Sequence, residues 1–262
     1  MKKKVIIVAS DAGNIGKTLV ASVILETLRL TEKIDGYVCD RNFQGLYERY
    51  GQKNSNKALK PLHLQDPGKG VAFLDIANPD EKSKVASSLG TDSNFLLFDL
   101  PANATHQLAT CMGTPQDFID FLDFADAEVI FVCPLKDQKS ITSYKSLRET
   151  FPSGARFVLA INAGFIKATE SGAQTVVDGL LEQFGHEAHF VLEQTLSPRI
   201  FDLLKNNTLR EVFTPREERK QADGSYFPGD SAYLAQDRGD QFILNKFIPS
   251  VSKAVEDLFL NH

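Results

Sequence analysis

Lys17 and Thr18 are the first residues of this 262-residue chain whose types and spacing suit a defined chemistry. They follow an apolar run, Val5-Ile6-Ile7-Val8-Ala9, and a turn of small residues, and they open a helical pattern. A chain that reverses tightly after a strand points backbone N–H groups into one concavity, and a helix N-terminus adds its positive dipole there. Lys17 adds a mobile positive charge, and the Thr18 hydroxyl is an oxygen ligand that suits Mg²⁺. The segment predicts a phosphate-binding loop formed by Gly13, Asn14, Ile15, Gly16, Lys17, Thr18 and Leu19.

The loop departs from the strict Gly-x-x-x-x-Gly-Lys-Thr pattern at its first position. That pattern has glycine five residues before Gly16, where this chain has Asp11. A bare Gly-Lys-Thr occurs often by chance, but here it directly follows an apolar strand and precedes a helix. An ordinary strand-to-helix turn is the alternative interpretation, and the surrounding pattern favours the phosphate site.

Composition indicates a soluble globular chain long enough for one large α/β domain. The chain is 42% hydrophobic and 24% charged, and its net charge of -5 argues against a protein coated by nucleic acid. The cysteines, Cys39, Cys111 and Cys133, have no metal-ligand spacing, so we expect reduced and buried thiols. The basic start leads into an apolar run too short for a signal peptide, and no segment approaches membrane-spanning length. The expected location is the cytoplasm.

Strand-like runs alternate with helical patterns along the chain. Strands are predicted at Val5–Ala9, Gly36–Cys39, Val71–Ile76, Phe95–Phe98, Glu128–Cys133, Phe157–Ile161 and His189–Leu192. Helices are predicted at Leu19–Leu30, Asp117–Phe124, Ile141–Thr150 and Thr175–Phe184. This alternation predicts an α/β fold with an open, mostly parallel β-sheet flanked by helices on both faces. We expect a single domain over residues 1–262, with an irregular excursion at about 214–240 and a C-terminal helix at about 242–260.

Polar residues stand directly after several of the strands, where parallel sheets bind their ligands. Asp40 and Asp99 each end an apolar run, and an aspartate beside a phosphate-binding loop is a partner for Mg²⁺. Turn or helix-capping aspartates are the alternative, because strand ends favour those too. The amide of Asn162 suits the edge of a purine base, with a turn asparagine as the alternative. Ser197-Pro198-Arg199 has the pattern of a helix start, and such a helix could wall the same base.

These segments, in this order, resemble the MinD/ParA group of P-loop ATPases, which carry a deviant Walker A motif. Ala12-Gly13-Asn14-Ile15-Gly16-Lys17-Thr18 stands where the family has Lys-Gly-Gly-x-Gly-Lys-Thr, and Asp40-Arg41-Asn42-Phe43-Gln44-Gly45 is similar to its Asp-x-Asp-Pro-Gln-Gly. Phe98-Asp99-Leu100-Pro101-Ala102 resembles the Walker B segment, and Ala125-Asp126-Ala127-Glu128 resembles the family's Ala-Asp-Glu run. The resemblance extends over roughly residues 4–213. The loop pattern is most similar to that of StbB-like proteins of plasmid stability and conjugation.

The resemblance implies ATP or ADP and Mg²⁺ as ligands, a weak ATPase activity, and a homodimer that forms on ATP binding. Lys17 and Asp40 would be the catalytic residues, and Thr18 and Asp99 would hold the metal. The family's contacts with adenine fall on Asn162, Pro198 and Arg199. Members of the group attach to DNA, to a membrane or to a protein partner that stimulates or anchors them.

Three residues depart from the family pattern. Ala12 replaces the signature lysine, which reaches across the dimer to the partner's nucleotide, Asn14 replaces a glycine, and Asn42 replaces an aspartate. Loss of a cation at a phosphoryl-transfer site can be costly. We therefore expect nucleotide binding to persist and hydrolysis to be slow, or to need a cation from elsewhere, with Arg41 and Arg199 as candidates.

Two surfaces near the C-terminus are candidates for attachment. A DNA-binding patch in a dimer would be built from Arg210, Arg216, Arg219 and Lys220. The charges of the segment Arg216-Glu217-Glu218-Arg219-Lys220 alternate in sign, so a solvated face is the alternative. The apolar stripe of the last helix has few cations beside it, so core packing is favoured over a membrane contact. That stripe comprises Phe247, Val251, Ala254, Val255 and Leu258.

The function expected first is a ParA/MinD-like ATP-binding switch in plasmid or DNA segregation, conjugation or intracellular positioning, with non-specific DNA as a second partner. A small-molecule ATP-dependent enzyme of the dethiobiotin synthetase type is one alternative, because Gly16-Lys17-Thr18-Leu19-Val20-Ala21-Ser22 fits its loop as well. A non-hydrolysing nucleotide-binding scaffold is the other, suggested by Ala12, Asn14 and Asn42. The segments that begin at Asp40 and Asp99 favour the switch.

Overall fold

An open, all-parallel sheet forms the centre of the fold. A computed structural model describes residues 2–42, 44–56, 58–78, 81–163, 172–192, 207–213 and 238–260. Its strands are β1 (Lys3–Val8), β2 (Ile34–Val38), β3 (Val71–Phe73), β4 (Phe95–Asp99), β5 (Ala127–Leu135), β6 (Ala155–Ile161) and β7 (His189–Val191). They lie in the order β3-β2-β4-β1-β5-β6-β7, and each neighbouring pair is parallel. The predicted sheet is confirmed.

Helices follow most of these strands. They are α1 (Lys17–Leu28), α2 (Gly45–Tyr50), α3 (Lys82–Leu89), α4 (Thr105–Thr110), α5 (Pro115–Phe124), α6 (Gln138–Thr150), α7 (Gly172–Phe184), α8 (Leu209–Phe213) and α9 (Arg238–Phe259). A 3₁₀ turn spans Leu62–Leu64. The sequence patterns missed α2, α3, α4 and α8, because five to eight residues are too few to show a helical period.

Both faces of the sheet are covered by apolar side chains, as the uninterrupted apolar runs predict. Along β1, Val5 and Ile7 enter one buried cluster, whereas Ile6 and Val8 enter the other. The first cluster is covered by α3, α4, α5, α6 and α7. The second is covered by α1, α2, α8 and α9, so the prediction of helices on both faces is confirmed.

Helices α5 and α6 begin earlier than their apolar periodicity indicates, because polar capping residues precede the apolar pattern. At α5 the Thr114 side chain accepts the Asp117 backbone N–H, and Asp117 reciprocates in a capping box, with proline at the first helical position. At α6 Asp137 and Ser140 form the same arrangement. Capping residues are polar, so an apolar pattern alone places these starts two or three residues late.

Strand β3 is shorter than predicted. It ends at Phe73 rather than Ile76, because Asp75 turns the chain. One Asp75 carboxylate oxygen accepts the backbone N–H of Ala77 at 3.1 Å, and the other forms an ion pair with Arg41. Arg41 is therefore bound to a buried carboxylate in this structure.

The last helix, α9, begins at Arg238, four residues before its predicted start, so residues 238–240 are helical rather than irregular. Val251 and Val255 are buried, which confirms the predicted core packing of that stripe, and Ala254 and Leu258 pack against the same cluster. Helix α9 lies on α1, where the Thr27 hydroxyl donates to Ser252 Oγ at 3.2 Å. The rest of the predicted excursion, with Arg216, Arg219 and Lys220, lies outside the described residues, as do the side chains of Arg210 and Phe247.

The cysteines are free and buried, as expected. Burial raises the pKa of the Cys133 thiol, so it stays protonated at neutral pH. None of the helices in the described part of the chain is both long enough and apolar enough to cross a membrane.

Candidate functional site

The predicted phosphate-binding loop connects β1 to α1 at the carboxyl edge of the sheet. Its reversal depends on two residues with left-handed backbone, Asn14 (φ 56°) and Gly16 (φ 86°), and Gly16 is the residue that caps α1. Glycine adopts this conformation without steric cost, whereas asparagine tolerates it better than most residues. Gly13 is exposed, and a methyl group there would meet no heavy atom within 4 Å. The loop therefore leaves open space beside its backbone, at the N-terminus of a twelve-residue helix.

Lys17 folds back along this loop. Its Nζ donates to the backbone oxygens of Ser10, at 3.2 Å, and Ala12, at 2.9 Å. Burial lowers the pKa of Lys17, and the nearby carboxylates of Asp99, Asp40 and Asp11 oppose that shift. The ammonium thus lies inside the loop and within electrostatic reach of both aspartates that the sequence singled out.

Asp99 contacts the start of α1 directly. The register pairs Val8 of β1 with Asp99 of β4, so the last residues of the two strands are neighbours. The Thr18 hydroxyl donates to Asp99 Oδ2 at 2.9 Å. The second oxygen, Oδ1, is buried and has no hydrogen-bond partner among the described residues. Burial raises the pKa of Asp99 to about 6, against the opposing effects of Thr18, Lys17 and Arg49.

These groups fit the predicted Mg²⁺ site. Mg²⁺ prefers oxygen ligands, and a hydroxyl in contact with a carboxylate that has a spare buried oxygen supplies them. A cation would also remove the cost of burying an ionised carboxylate with one oxygen unsatisfied. Thr18 and Asp99 are the residues that would hold it. Among the described residues no cluster of three or more His, Cys, Asp or Glu side chains offers a metal site made by protein alone.

Asp40 lies just past β2, the strand on the other side of β4. Its Oδ1 accepts the backbone N–H of Asn42 at 2.8 Å, which is the turn contact that the alternative interpretation describes. Asp40 nevertheless lies within electrostatic range of Lys17 and Asp99. The two interpretations of Asp40 are therefore compatible, because a carboxylate held by the turn still acts electrostatically on Lys17 and Asp99.

The residues proposed for the base are only partly described. The Asn162 side chain is buried, and its Nδ2 donates to the Ile15 backbone oxygen at 3.0 Å. Its Oδ1 is buried with no partner in the described part of the chain. Asn162 therefore contacts the phosphate-binding loop from the carboxyl end of β6. Pro198 and Arg199 lie outside the described residues.

Ile15 and Leu19 contribute to the site differently from the other loop residues. Both side chains are buried in the apolar core, with exposed fractions of 1% and 7%. Only their backbone groups can therefore contact a ligand. This is consistent with a loop that binds an anion through its N–H groups.

Sequence reasoning missed four residues that hold or face the loop. The Ser143 hydroxyl of α6 accepts the Asp11 N–H at 2.7 Å and the Ser10 hydroxyl at 3.1 Å. Lys136 Nζ donates to the Asn14 oxygen at 2.6 Å, and the Thr105 N–H donates to Asp11 Oδ1 at 3.2 Å. Arg49 donates to Ser22 Oγ at 3.3 Å, and its charge opposes the rise in the pKa of Asp99. Lys136 directly follows β5, as Asn162 follows β6, but the strand predicted there ended at Cys133, so the position of Lys136 gave no signal.

Comparison with solved structures identifies the fold. The MinD cell division protein of Aquifex aeolicus superposes with a TM-score of 0.52 at 14% identity, over 99% of this chain and 97% of that one. A protein assigned to plasmid partition, from Borrelia burgdorferi B31 and bound to AMPPNP, gives 0.49 at 12% identity, over 100% and 99%. MinD of Pyrococcus horikoshii, complexed with Mg-ADP, gives 0.46 at 16% identity, over 99% and 96%. No protein-family model and no curated protein matches the chain. The chain has the fold of the MinD/ParA-type P-loop ATPases.

Proposed function

We propose that this chain, with its MinD/ParA-type fold, is a nucleotide switch that binds ATP with Mg²⁺, hydrolyses it slowly and dimerises in the ATP-bound state. The observation that carries the proposal is the contact of Thr18 with Asp99 beside the folded-back Lys17. Lys17 and Thr18 begin α1 and Asp99 ends β4, so residues far apart in sequence meet beside the loop that joins β1 to α1. A strand-to-helix turn with no ligand would not need a buried, half-satisfied carboxylate at that position.

Different residues of the proposed site serve phosphate binding, metal binding and hydrolysis. The loop N–H groups and Lys17 hold the phosphates, while Thr18 and Asp99 hold Mg²⁺, which would offset phosphate charge when it is bound. Asp40 orients the attacking water from the end of β2, with its carboxylate fixed by the Asn42 N–H. Ala12 brings no charge, and Arg41 is bound to Asp75, so the described loop has fewer cations than phosphoryl transfer favours. Slow turnover follows.

Positioning of DNA, a plasmid or another cargo is the cellular role that this switch would serve. ATP would bring two chains together, and the dimer would engage a protein partner or DNA that the ADP form releases. This part is supported by the fold, which resembles that of the MinD cell division protein, and by the proposed nucleotide site. A nucleotide switch has two states that differ in bound phosphate.

An ATP turnover assay with and without DNA, run beside sizing with AMPPNP and with ADP, tests the proposal. We expect a dimer with AMPPNP, a monomer with ADP, and slow turnover that Asp40→Ala abolishes while nucleotide binding persists. Turnover that needs a small metabolite, without dimerisation, would instead identify a small-molecule enzyme. Binding with no turnover under any condition would identify a scaffold, and the absence of any nucleotide binding would reject the site.

A further inference from the structure

Lys136 places a second ammonium on the phosphate-binding loop. It is the first residue after β5, the strand that pairs with β1 on the side away from β4. Its Nζ donates to the Asn14 backbone oxygen at 2.6 Å, and its side chain is 19% exposed. The Asp137 carboxylate is 4.0 Å from the same nitrogen. Lys136 therefore contacts the loop at its exposed tip, whereas Lys17 contacts its inner carbonyls.

The position matters because the loop lacks a cation at Ala12. The sequence left Arg41 and Arg199 as substitutes, and Arg41 is bound to Asp75 instead. Arg49 contacts Ser22 of α1 rather than the loop. Lys136 contacts the loop itself, at Asn14, beside the exposed Gly13.

A carbonyl oxygen is a weaker acceptor for an ammonium than a phosphate oxygen, because only the phosphate is charged. A lysine head group is a compact charge on a flexible stem, so it can change acceptor without moving the backbone. The Asn14 oxygen keeps that head group at the exposed tip of the loop, where it is available to a phosphate oxygen. In loops of this pattern the lysine that corresponds to Lys17 reaches the outer phosphates, so a second ammonium on the same loop would share that anionic ligand.

We propose that Lys136 is a specificity-determining cation of the nucleotide site: it leaves the Asn14 oxygen and binds the terminal phosphate of a triphosphate held by its own chain. It thereby makes the site prefer ATP over ADP, supplying within one chain a charge that Ala12 does not. This inference rests on the proposed nucleotide function and goes beyond it by naming the residue that separates the two states of the switch.

A structural role alone predicts a different outcome. If Lys136 only fixes the left-handed Asn14, its loss would weaken ADP and ATP equally, since both need the same loop. If it binds the terminal phosphate, its loss would weaken the triphosphate alone. Glutamine at this position keeps a hydrogen-bond donor for the Asn14 oxygen but removes the charge, so Lys136→Gln separates the two roles.

The test is calorimetric titration of Mg·ADP and Mg·AMPPNP into the full chain and its variants. We expect Lys136→Gln to weaken AMPPNP by about tenfold or more, the usual loss for one charge-assisted hydrogen bond, with ADP changed less than about threefold. Lys136→Arg should retain most of the preference for the triphosphate. Lys139→Gln, an exposed lysine three residues further on, is the matched control and should bind as the wild type does.

Three results would overturn the proposal. Equal weakening of both nucleotides by Lys136→Gln would show a structural role, and unchanged binding would show no role. A loss that Lys139→Gln reproduces would show a general charge effect. Failure of the proposed function is recognisable separately, because the wild-type chain would then bind neither nucleotide. Thermal unfolding of each variant without nucleotide identifies any variant that fails to fold, and Lys136→Arg then decides the matter.

Discussion

Asp99 has an environment unlike that of an ordinary surface aspartate. It is buried, one of its oxygens accepts the Thr18 hydroxyl, and the other lacks a partner among the described residues. Burial raises its pKa to about 6 from an ordinary 3.8, so the fold favours the neutral form and disfavours the charged one. A carboxylate placed this way is unfavourable for stability unless a cation accompanies it.

Asp99→Asn should therefore stabilise the metal-free chain at neutral pH. The pKa of Asp99 is higher in the folded state than in the unfolded state. The free energy of unfolding of the wild type therefore falls as the pH rises from about 4 to about 6, and above that pH it stays at its lower value. The shift corresponds to about 3 kcal/mol at most. Urea unfolding with a chelator present, at pH 4 and at pH 7.5, measures the effect.

We expect the stability difference between Asp99→Asn and the wild type to be larger at pH 7.5 than at pH 4. The same variant should lose the Mg²⁺-dependent part of nucleotide affinity, because an amide cannot replace the anionic ligand. Asp120→Asn, at an exposed site on α5, is the control and should show no such pH dependence. An Asp99→Asn chain that is less stable than the wild type at both pH values would contradict this account.

At the residue scale the sequence predicted Lys17 and Thr18 from the loop pattern before a helix, and Asp40, Asp99 and Asn162 from inspection of the residue that follows each apolar strand. The structure brings these residues to the same edge of the sheet because the strands are parallel. The sequence patterns could not predict Ser143 or Lys136, whose contacts with the loop span 132 and 122 residues of chain. Such contacts depend on where α6 lies over the sheet, which local patterns do not specify.

At the element scale, the junction of the loop with α1 is the most constrained backbone of the site. Gly16 has φ 86° and caps the helix, and a side chain in that left-handed conformation costs about 1–2 kcal/mol. Gly16→Ala should therefore lower the free energy of unfolding by that amount. Gly13→Ala is the matched variant, because Gly13 lacks a positive φ and has open space around it.

The comparison is made by chemical denaturation of the two variants and the wild type without nucleotide. Gly13→Ala should equal the wild type or exceed it slightly, since alanine restricts the unfolded chain. If the two alanine variants lose equal stability, then the left-handed conformation is not what fixes glycine at position 16.

Helix α6 supports the loop from the outside. The buried Ser143 hydroxyl accepts the Asp11 N–H and contacts Ser10 Oγ, so Ser143→Ala leaves polar groups of the loop without their partner. We expect a loss of about 1–2 kcal/mol in stability and weaker binding of both ADP and ATP. Ser146→Ala, an exposed serine on the same helix, should change neither property. A Ser143→Ala chain with wild-type stability and affinity would show that α6 does not hold the loop.

Elements were predictable to the extent that they bury a continuous apolar surface. The strands could be predicted because side chains on both faces of β1, β4 and β5 are buried. Helix α1 could be predicted because it lies between the sheet and α9. Short helices such as α2 and α4 were missed because they contribute only two or three buried side chains each. The capping residues of α5 and α6 are visible in the sequence, and attention to them corrects both starts.

At the scale of the whole molecule, the strand order explains why the site forms where it does. The chain passes from β1 to β2 on one side, returns to insert β4 beside β1, and then continues with β5 on the other side. This order places the ends of β4 and β5 on either side of the loop that leaves β1. Asp99 and Lys136 therefore approach the loop from opposite sides, although neither is near it in sequence.

The claim on which the account depends is that Lys17 and its loop bind the phosphates of a nucleotide. Calorimetric titration of Mg·ATP into the wild type and into Lys17→Ala, with Lys145→Ala as an exposed control, tests it most directly. We predict binding by the wild type and the control, and a loss of about tenfold or more in affinity for Lys17→Ala. The account is contradicted if the wild type binds neither ATP nor ADP, or if Lys17→Ala binds as tightly as the wild type.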